Sequence, residues 1–471
     1  MKRLILIDSH ALVHRAYHAL PPLTTKSGEL VNAVFGFTSI LIKTIADFKP
    51  DYVVAAFDAP EPTFRHEEYK GYKATRPEAP PDLYIQVPRV KEILGAFNIP
   101  IFEKSGFEAD DIIGTISKSL KGKEIEVLIL TGDMDNFQLV GKNIKVLYAP
   151  PSAAKEQIIY DEKKVEERFE GLGPGQLVDF KGLKGDPSDN IPGVKGVGEK
   201  TAIILLRKFK TIENLYEAVE KNAAPNISPA ILEKLKAGRD AAFFSKKLAT
   251  IKQNVPLKFG LKESEFGKFD KEKLFKLLRD LGFVSLIERL SQTARQGTLL
   301  APPINDRKVR YLKVPQEVSF KKLLQDSRAA KEIYLACEFN GAGALNGLAL
   351  GVGKKIYYVK TEFKSLRELF EKEKIKKISH DFKPFIKALW RLEMDLRGSD
   401  FDSRLAAYVL NPGERSYDLG RLVLKEFGQS MPEEAAERLV FSVDALLRLK
   451  PILAERLKAT ETGKVFGEIE M

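Results

Sequence analysis

The chain has 471 residues, 44% of them hydrophobic, and its 76 basic and 65 acidic residues give a formal net charge of +11. This composition is ample for about three globular domains and indicates a basic surface suited to a polyanionic partner. Cys337 is the only cysteine, which excludes a disulfide framework and a zinc site built from several thiolates. The sequence shows no signal peptide and no apolar stretch near the roughly 20 residues of a membrane span. We therefore expect a cytoplasmic protein.

Three short apolar runs near the amino terminus each stop on an aspartate, namely Asp8, Asp58 and Asp133. Continuous apolar runs of this kind predict strands buried on both faces of a parallel sheet. The carboxyl ends of such strands meet at one edge, where open α/β sheets place their sites. A single aspartate after a strand is often only the cap of the next helix, so the recurrence is what indicates a site.

Further carboxylates extend this acidic group. Glu108, Asp110 and Asp111 stand at the head of a predicted helix, and Asp186 and Asp189 lie in a turn rich in glycine and proline. The whole predicted set is Asp8, Asp58, Glu108, Asp110, Asp111, Asp133, Asp135, Asp186 and Asp189. If these side chains converge, divalent cations must offset their repulsion, and oxygen ligands select hard ions such as Mg²⁺ or Mn²⁺. The chemistry this predicts is metal-assisted phosphoryl transfer.

Strand patterns alternate with helical patterns up to about residue 150, which is typical of a doubly wound parallel sheet. The helices are predicted over 32–48, 82–97 and 109–120. A segment rich in cations and aromatics, residues 64–77, follows the second strand and is placed to reach over the acidic group.

The pattern is helical from about 161 to 290 and is followed by a linker rich in small polar residues and proline. A second α/β pattern begins after residue 308, with helices expected to fill the chain beyond its strands. These later strands are predicted over 309–312, 333–337, 348–352 and 356–359.

A glycine-rich turn between two predicted helices carries a second signal. Its glycines permit tight turns and leave backbone amides pointing outward where a helix begins near Glu199, a place where phosphate binds. The residues predicted to hold a nucleic-acid backbone, without reading sequence, are Gly193, Lys195, Gly196, Gly198 and Lys200. The alternative interpretation is a plain glycine capping turn.

In this order the motifs resemble the 5′ nuclease domain of bacterial DNA polymerase I over residues 1 to about 290. The resemblance is carried by Asp8, Phe57-Asp58-Ala59, Phe64-Arg65, Glu108 to Asp111, Asp133, Asp135, Gly185 to Asn190 and Gly193 to Ala202. It implies an α/β fold with a PIN-like parallel sheet and a helix-three-turn-helix subdomain. It also implies a flap endonuclease and 5′ to 3′ exonuclease acting on DNA with a 5′ flap, nick or RNA primer in replication and repair.

The resemblance further implies roles for single residues. One Mg²⁺ ion would be held by Asp8, Asp58, Glu108, Asp110 and Asp111. A second, with Mn²⁺ as a substitute for either, would be held by Asp133, Asp135, Asp186 and Asp189. Lys73 and Arg76 would steady the scissile phosphate, with Arg15 and Arg65 nearby on the 5′ side. His14 stands where the family usually has a tyrosine near the terminal nucleotide, so we expect an altered grip there.

Residues 308 to about 460 resemble the proofreading 3′ to 5′ exonuclease domain of the same polymerase, most clearly over 401–412. This implies a ribonuclease H-like fold. The family's acidic motifs are degenerate here: Ala336 and Phe385 stand where it has aspartates, and its last motif aligns at Val443.

Of those motifs, Glu338 and Asp402 remain, and Asp444 is one residue out of register. Two carboxylates cannot neutralise and coordinate two Mg²⁺ ions, so we predict an inactive domain that acts as a scaffold. Cys337 is expected to be a buried core residue.

The predicted domains are a catalytic domain over 1–175, a helical DNA-binding subdomain over 176–290, a linker over 291–307, the degenerate domain over 308–460 and a tail over 461–471. The tail ends about where a polymerase domain would begin, so that activity would come from further sequence or another protein. We expect a nucleoid-associated monomer. One alternative is a non-catalytic DNA-junction binding module, which the complete carboxylate set disfavours. Another is an RNA-cleaving PIN enzyme, which the hairpin and the basic segment disfavour.

Overall fold

The computed structural model describes residues 1–470 apart from 26, 151–156, 222, 224–226, 295–311, 315–316 and 415. The described residues divide into two compact units, Met1–Leu286 and the part that begins at Ile287. Each unit contains a six-stranded sheet. Within the described residues, no helix has the length and apolar character needed to cross a membrane.

The strands of the first unit are β1 (Lys2–Asp8), β2 (Tyr52–Ala56), β3 (Ile101–Phe102), β4 (Ile125–Thr131), β5 (Ile144–Tyr148) and β6 (Ile158–Tyr160). They are ordered β3-β2-β1-β4-β5-β6, and all pairs are parallel except β5 with β6. The three runs that stop on an aspartate are therefore the adjacent central strands, as predicted. Their apolar side chains are buried, because helices cover both faces of the sheet.

The helices of the first unit are α1 (Ser9–Ala19), α2 (Asn32–Phe48), α3 (Phe64–Glu68), α4 (Pro81–Tyr84), α5 (Val87–Ala96), α6 (Ala109–Ser119), α7 (Glu162–Arg168), α8 (Leu177–Lys184), α9 (Glu199–Phe209), α10 (Ile212–Glu220), α11 (Pro229–Ala237), α12 (Arg239–Ala249), α13 (Lys271–Asp280) and the beginning of α14 (Val284–Ala294). Short 3₁₀ turns occur at Asp135–Leu139, Pro174–Gln176 and Lys262–Ser264.

The helix predicted over 82–97 is instead the pair α4 and α5. Pro88 lacks the N–H that a continuous helix would need and stands at the second position of α5. Between the two helices, the buried Gln86 side chain accepts from the Ala33 backbone N–H at 2.8 Å and donates to Asn32 at 3.1 Å. These contacts fix the break in the helix.

The strands of the second unit are β7 (Leu312–Val314), β8 (Glu332–Phe339), β9 (Leu345–Val352), β10 (Lys355–Val359), β11 (Lys376–Ser379) and β12 (Ser399–Asp402). Their order is β12-β11-β8-β9-β10-β7, with β9 antiparallel to β8 and β10. Beyond α14, its helices are α15 (Glu317–Ala329), α16 (Arg367–Glu371), α17 (Phe382–Trp390), α18 (Ser403–Leu410), α19 (Leu419–Phe427), α20 (Ala435–Ala459) and α21 (Gly463–Val465).

Three expectations for this half need correction. Helices do not fill the chain after β10, because β11 and β12 form there; each has four residues with little apolar character and is specified by pairing across the sheet. The predicted linker starts inside α14, and its residues 295–307 lie outside the described part, as do 309–311 of the first predicted strand. Cys337 is half-buried at the margin of the core, and burial raises the pKa of its thiol.

Candidate active site

The carboxyl edge of the first sheet opens into a cavity of about 510 Å³. The predicted carboxylates that line it are Asp8, Asp58, Glu108, Asp110 and Asp133. The predicted cations that line it are Arg15, Lys73 and Arg76. Residues from strand ends and helix starts, far apart in sequence, thus meet at one place as the strand pattern predicts.

Local hydrogen bonds fix the aspartates that follow β1 and β2. Asp8 caps α1, because its Oδ1 accepts from the Ala11 N–H at 3.2 Å, and its Oδ2 accepts from the Thr131 hydroxyl at 2.6 Å. Asp58 Oδ1 accepts from the N–H of Ala109, the first residue of α6, at 2.7 Å. Asp8 therefore both caps α1 and contributes a carboxylate to the cavity.

The negative charge of this group is poorly balanced. Burial raises the pKa of Asp8 to about 7, and repulsion from Asp58 and Asp133 adds to the effect. Burial also raises the pKa of Asp110 well above its ordinary value, again with repulsion from its neighbours, although Asn136 donates to it at 2.7 Å. A divalent cation would offset this excess of negative charge.

The basic segment after β2 lies directly on these carboxylates. Lys73 Nζ donates to Glu108 Oε1 at 2.6 Å, and Arg76 donates to the Asp189 carboxylate and to the Ser188 carbonyl, the latter at 3.1 Å. Burial lowers the pKa of Lys73, but Glu108 and Asp189 outweigh it, so the pKa of Lys73 is raised. Both cations are thus held charged at the rim of the cavity.

Asp135 and Asp186, predicted to hold a second ion, share one cation instead. Lys181 on α8 donates to Asp186 Oδ2 at 2.6 Å and to Asp135 Oδ1. Burial raises the pKa of Asp135 to about 7 despite this contact. The sequence analysis missed Lys181, because nothing in its local pattern distinguishes it from the other lysines of the helical region.

Arg65 and Asp111 do not fit the roles predicted for them. Arg65 is only 2% exposed and donates to both oxygens of Asp111 at 2.8 and 2.9 Å, and to Glu108 at 3.1 Å. Its remaining bonds go to the carbonyls of Leu248 and Thr250. Asp111 is fully buried, so Arg65 has no surface to offer DNA and Asp111 has no free oxygen to offer an ion.

Arg15 is the third predicted cation at the cavity. Its guanidinium lines the cavity, lies 5.2 Å from the centre of the Tyr148 ring and donates to the Gly132 carbonyl at 3.4 Å. Its Nε and Nη1 make no hydrogen bond to any described residue. Both nitrogens are buried, so neither faces solvent in this structure.

Three histidines of α1 line the same cavity, His10, His14 and His18. His14 stands at the position where the resemblance implies a contact with the terminal nucleotide. His10 Nδ1 accepts from the Asp58 backbone N–H at 3.1 Å, which helps to position that aspartate. The four-residue spacing of these histidines on one helix face is a signal that the sequence analysis did not use.

The glycine-rich hairpin lies between α8 and α9. Gly193 has φ 62°, and a Cβ there would lie 2.3 Å from the Gly185 backbone nitrogen, so no larger residue fits. Lys195 and Lys200 are exposed. Gly198 caps α9 without a side-chain hydrogen bond, which leaves the first amides of that helix open. The hairpin does not line the cavity, so the two predicted DNA contacts are separate surfaces.

The cavity carboxylates fit one divalent ion in their chemistry, because they are oxygen ligands with excess negative charge. As they stand, no three metal-ligating side chains among the described residues are already arranged around one ion position. The second predicted set does not fit an ion in this state, since Asp135, Asp186 and Asp189 each contact Lys181 or Arg76.

Comparisons with known families define the class of protein. Residues 3–170 match the 5′-3′ exonuclease N-terminal resolvase-like domain, and residues 172–272 match the 5′-3′ exonuclease C-terminal SAM fold. Residues 328–434 match the ribonuclease H-like domain of DNA polymerase I. The chain therefore carries a 5′ nuclease α/β domain followed by a ribonuclease H-like domain, as the sequence analysis predicted.

Whole-chain relatives specify the family further. The chain is 34% identical to DNA polymerase I of Bacillus subtilis (strain 168), over 100% of this chain and 54% of the relative. It is also 34% identical to the thermostable DNA polymerase I of Thermus thermophilus, over 98% of this chain and 50% of the relative. A zinc-bound structure of T5 5′-exonuclease covers 62% of this chain and 99% of its own length, with 19% identity and a TM-score of 0.44. The chain is thus related in sequence to DNA polymerase I and spans about half the length of the curated relatives it matches.

Proposed function

We propose that this chain is a divalent-metal-dependent 5′ nuclease that removes 5′ flaps and RNA primers from DNA in replication and repair. The observation that carries the proposal is the group of five carboxylates around one cavity at the carboxyl edge of the first sheet, with Lys73 and Arg76 at its rim. Metal-assisted hydrolysis of a phosphodiester needs this combination of anionic ligands and nearby cations.

The ion would be held by Asp8, Asp58, Glu108, Asp110 and Asp133. Their oxygen-only chemistry favours Mg²⁺, with Mn²⁺ as a substitute. When bound, such an ion lowers the pKa of a water and stabilises charge on the phosphate. A second ion on Asp133, Asp135, Asp186 and Asp189 would require Lys181 and Arg76 to leave their present partners.

The chain's own cations would hold the DNA. Lys73 and Arg76 would exchange their carboxylate partners for the scissile phosphate and stabilise the charge that builds on it. Arg15, which lines the cavity, would contact the DNA on the 5′ side. Lys195 and Lys200, with the amides of the glycine hairpin, would grip a duplex backbone without reading sequence.

The second unit is proposed to lack proofreading activity and to act as a scaffold. Glu338 and Asp402 are what remains of the family's ligand set, and Asp402 accepts four backbone N–H bonds, which satisfies both of its oxygens. We further propose the domain boundaries given above, a monomer located at the nucleoid, and a polymerase that is joined in cis or supplied separately.

The test is cleavage of a labelled double-flap DNA with Mg²⁺ by the parent chain and by Asp133→Asn. We expect the substitution to lower the cleavage rate by about 10³-fold or more, because it removes charge from the ion site. Asp161→Asn is the matched control, since Asp161 caps α7 away from the cavity and asparagine caps equally well. In the same assay Asp133→Asn should leave a recessed duplex with a 3′ mismatch intact.

Each alternative predicts a different result. Tight flap binding by the parent without any Mg²⁺-dependent product would establish the non-catalytic junction module. Efficient cleavage of single-stranded RNA in place of flap DNA would establish the PIN-type ribonuclease. Trimming of the mismatched 3′ end would contradict the inactivity of the second unit.

A further inference from the structure

The chain contains one tryptophan, Trp390, and the second unit leaves it 62% exposed in the last turn of α17. Large aromatic side chains are usually covered when no partner requires them at the surface. Trp390 makes no ring contact with another described aromatic, and its exposure is not explained by packing. It is far in sequence from every residue assigned to the nuclease cavity.

The helix that carries Trp390 is rigidly attached on its opposite face. Phe382, Phe385, Ala388 and Leu389 are buried in the core of the unit, and the Phe385 ring packs edge-on to Phe370 at 5.3 Å. Trp390 therefore stands on a fixed support. A rigid backbone at this position reduces the freedom lost when a flat ligand stacks on the indole.

The exposed side of the same helix is basic. Lys383 and Lys387 are exposed one turn apart, and Lys387 lies one turn before Trp390. Neither lysine forms an ion pair within the described part of the chain, and α17 contains no acidic residue. Some other exposed lysines of this unit do form ion pairs, for example Lys355 with Asp326.

Arg391 adds a further cation at the carboxyl end of α17. It follows Trp390 directly and donates to the Ala342 carbonyl in the turn between β8 and β9. This contact holds the guanidinium against that turn. The exposed acidic residues Glu393 and Asp395 come after it and mark where the basic surface ends.

We propose that Lys383, Lys387, Trp390 and Arg391 form a binding surface for single-stranded nucleic acid. The indole face offers a stacking platform for an unpaired base, and the lysines offer charge to the phosphates on either side of it. Aromatic platforms beside cations bind single strands with little sequence preference. A protein that packed only on the indole would leave Lys383 and Lys387 without partners. Phosphates would pair with them, so the charge favours nucleic acid. The surface lies outside the cleavage cavity and does not depend on the nuclease proposal.

The test uses the emission of Trp390, which reports on this surface alone because the chain has no other tryptophan. The full chain is titrated with an oligothymidylate of about 20 nucleotides, longer than the roughly 4–16 nucleotides such surfaces cover. EDTA prevents cleavage, so the outcome is independent of nuclease activity. We expect saturable quenching that weakens as salt rises. A matched oligouridylate distinguishes DNA from RNA, and a blunt duplex should quench far less because its bases are already stacked.

The critical variant is Lys383→Glu with Lys387→Glu, which keeps the indole and reverses the charge beside it. We expect its affinity, measured by quenching, to fall by about fivefold or more. The control is Lys354→Glu with Lys360→Glu, an equal charge change at exposed lysines of the β9–β10 turn and the end of β10. Absence of quenching by either oligomer at low salt would overturn the proposal, and so would equal affinity in the two double variants.

Discussion

Asp8 in the first unit and Asp402 in the second each end a strand and cap the helix that follows it, with β1 central in its sheet and β12 at an edge. Their surroundings differ. Asp402 accepts the backbone N–H groups of Asp381, Phe382, Arg404 and Leu405. Asp8 accepts one backbone N–H and one hydroxyl, and other carboxylates lie near enough to repel it.

The two aspartates therefore differ in how their negative charge is satisfied, as well as in the place of their strand in the sheet. In the second unit backbone amides satisfy Asp402, and β8, which is separated from β12 by β11, carries Ala336 where the resemblance implies a carboxylate. In the first unit several carboxylates face one cavity with too few donors between them. A strand-end aspartate is thus available to an ion only where the fold leaves its charge unsatisfied.

The largest change in the free energy of unfolding is expected at Asp111, a buried carboxylate of the first unit that pairs with Arg65. Arg65→Met should leave Asp111 buried without a partner and cost about 3–5 kcal/mol of the free energy of unfolding. The measurement is urea unfolding of the first unit followed by far-ultraviolet circular dichroism. Arg89→Met is the control, because Arg89 pairs with Glu29 and Glu92 at the surface and should cost less than about 1 kcal/mol.

If Arg65→Met and Arg89→Met lowered the free energy of unfolding equally, the claim that Asp111 is a buried partner of Arg65 and not an ion ligand would be contradicted. Arg65 would then be free to serve the DNA contact that the sequence suggested.

A smaller change in the free energy of unfolding is expected at Lys181, which pairs with Asp135 and Asp186. An ion could bind these two carboxylates in its place. Lys181→Met should destabilise the metal-free protein by about 2 kcal/mol, less than a fully buried pair because Lys181 is partly exposed. Mg²⁺ should then raise the melting temperature of the variant more than that of the parent, since the ion binds the folded state.

Lys184→Met on the same helix is the matched control, since Lys184 pairs with the exposed Glu199. An equal Mg²⁺ response in the parent, Lys181→Met and Lys184→Met would show that no ion takes the place of the Lys181 ammonium.

The smallest effect is expected in the second unit. Asp402→Ala removes the cap of α18 and should cost about 1–2 kcal/mol, with flap cleavage by the first unit unchanged. Unfolding of this unit can be followed by Trp390 emission, because the first unit has no tryptophan. Loss of a 3′-trimming activity in this variant, with unchanged stability, would make Asp402 a ligand and erase the contrast with Asp8.

Much of the first unit could be predicted from local pattern. The helix expected over 32–48 is α2 with those bounds, and the three aspartate-ended runs are adjacent parallel strands. Such runs are strongly periodic and long enough to decide their own structure. The break in the helix expected over 82–97 was missed, because contacts of the buried Gln86 fix it. The short strands β11 and β12 were missed, because pairing across the sheet specifies them.

Local pattern alone predicts that many carboxylates meet at one sheet edge beside a basic segment, and that a glycine hairpin follows in the chain. Parallel strands bring their carboxyl ends together whatever their separation along the chain. Only the tertiary structure decided which carboxylates stay available. Arg65 reaches Asp111 across 46 residues and the Leu248 carbonyl across 183, and Lys181 reaches Asp135 across 46. Pairings over such distances depend on how whole elements pack, and no local pattern records them.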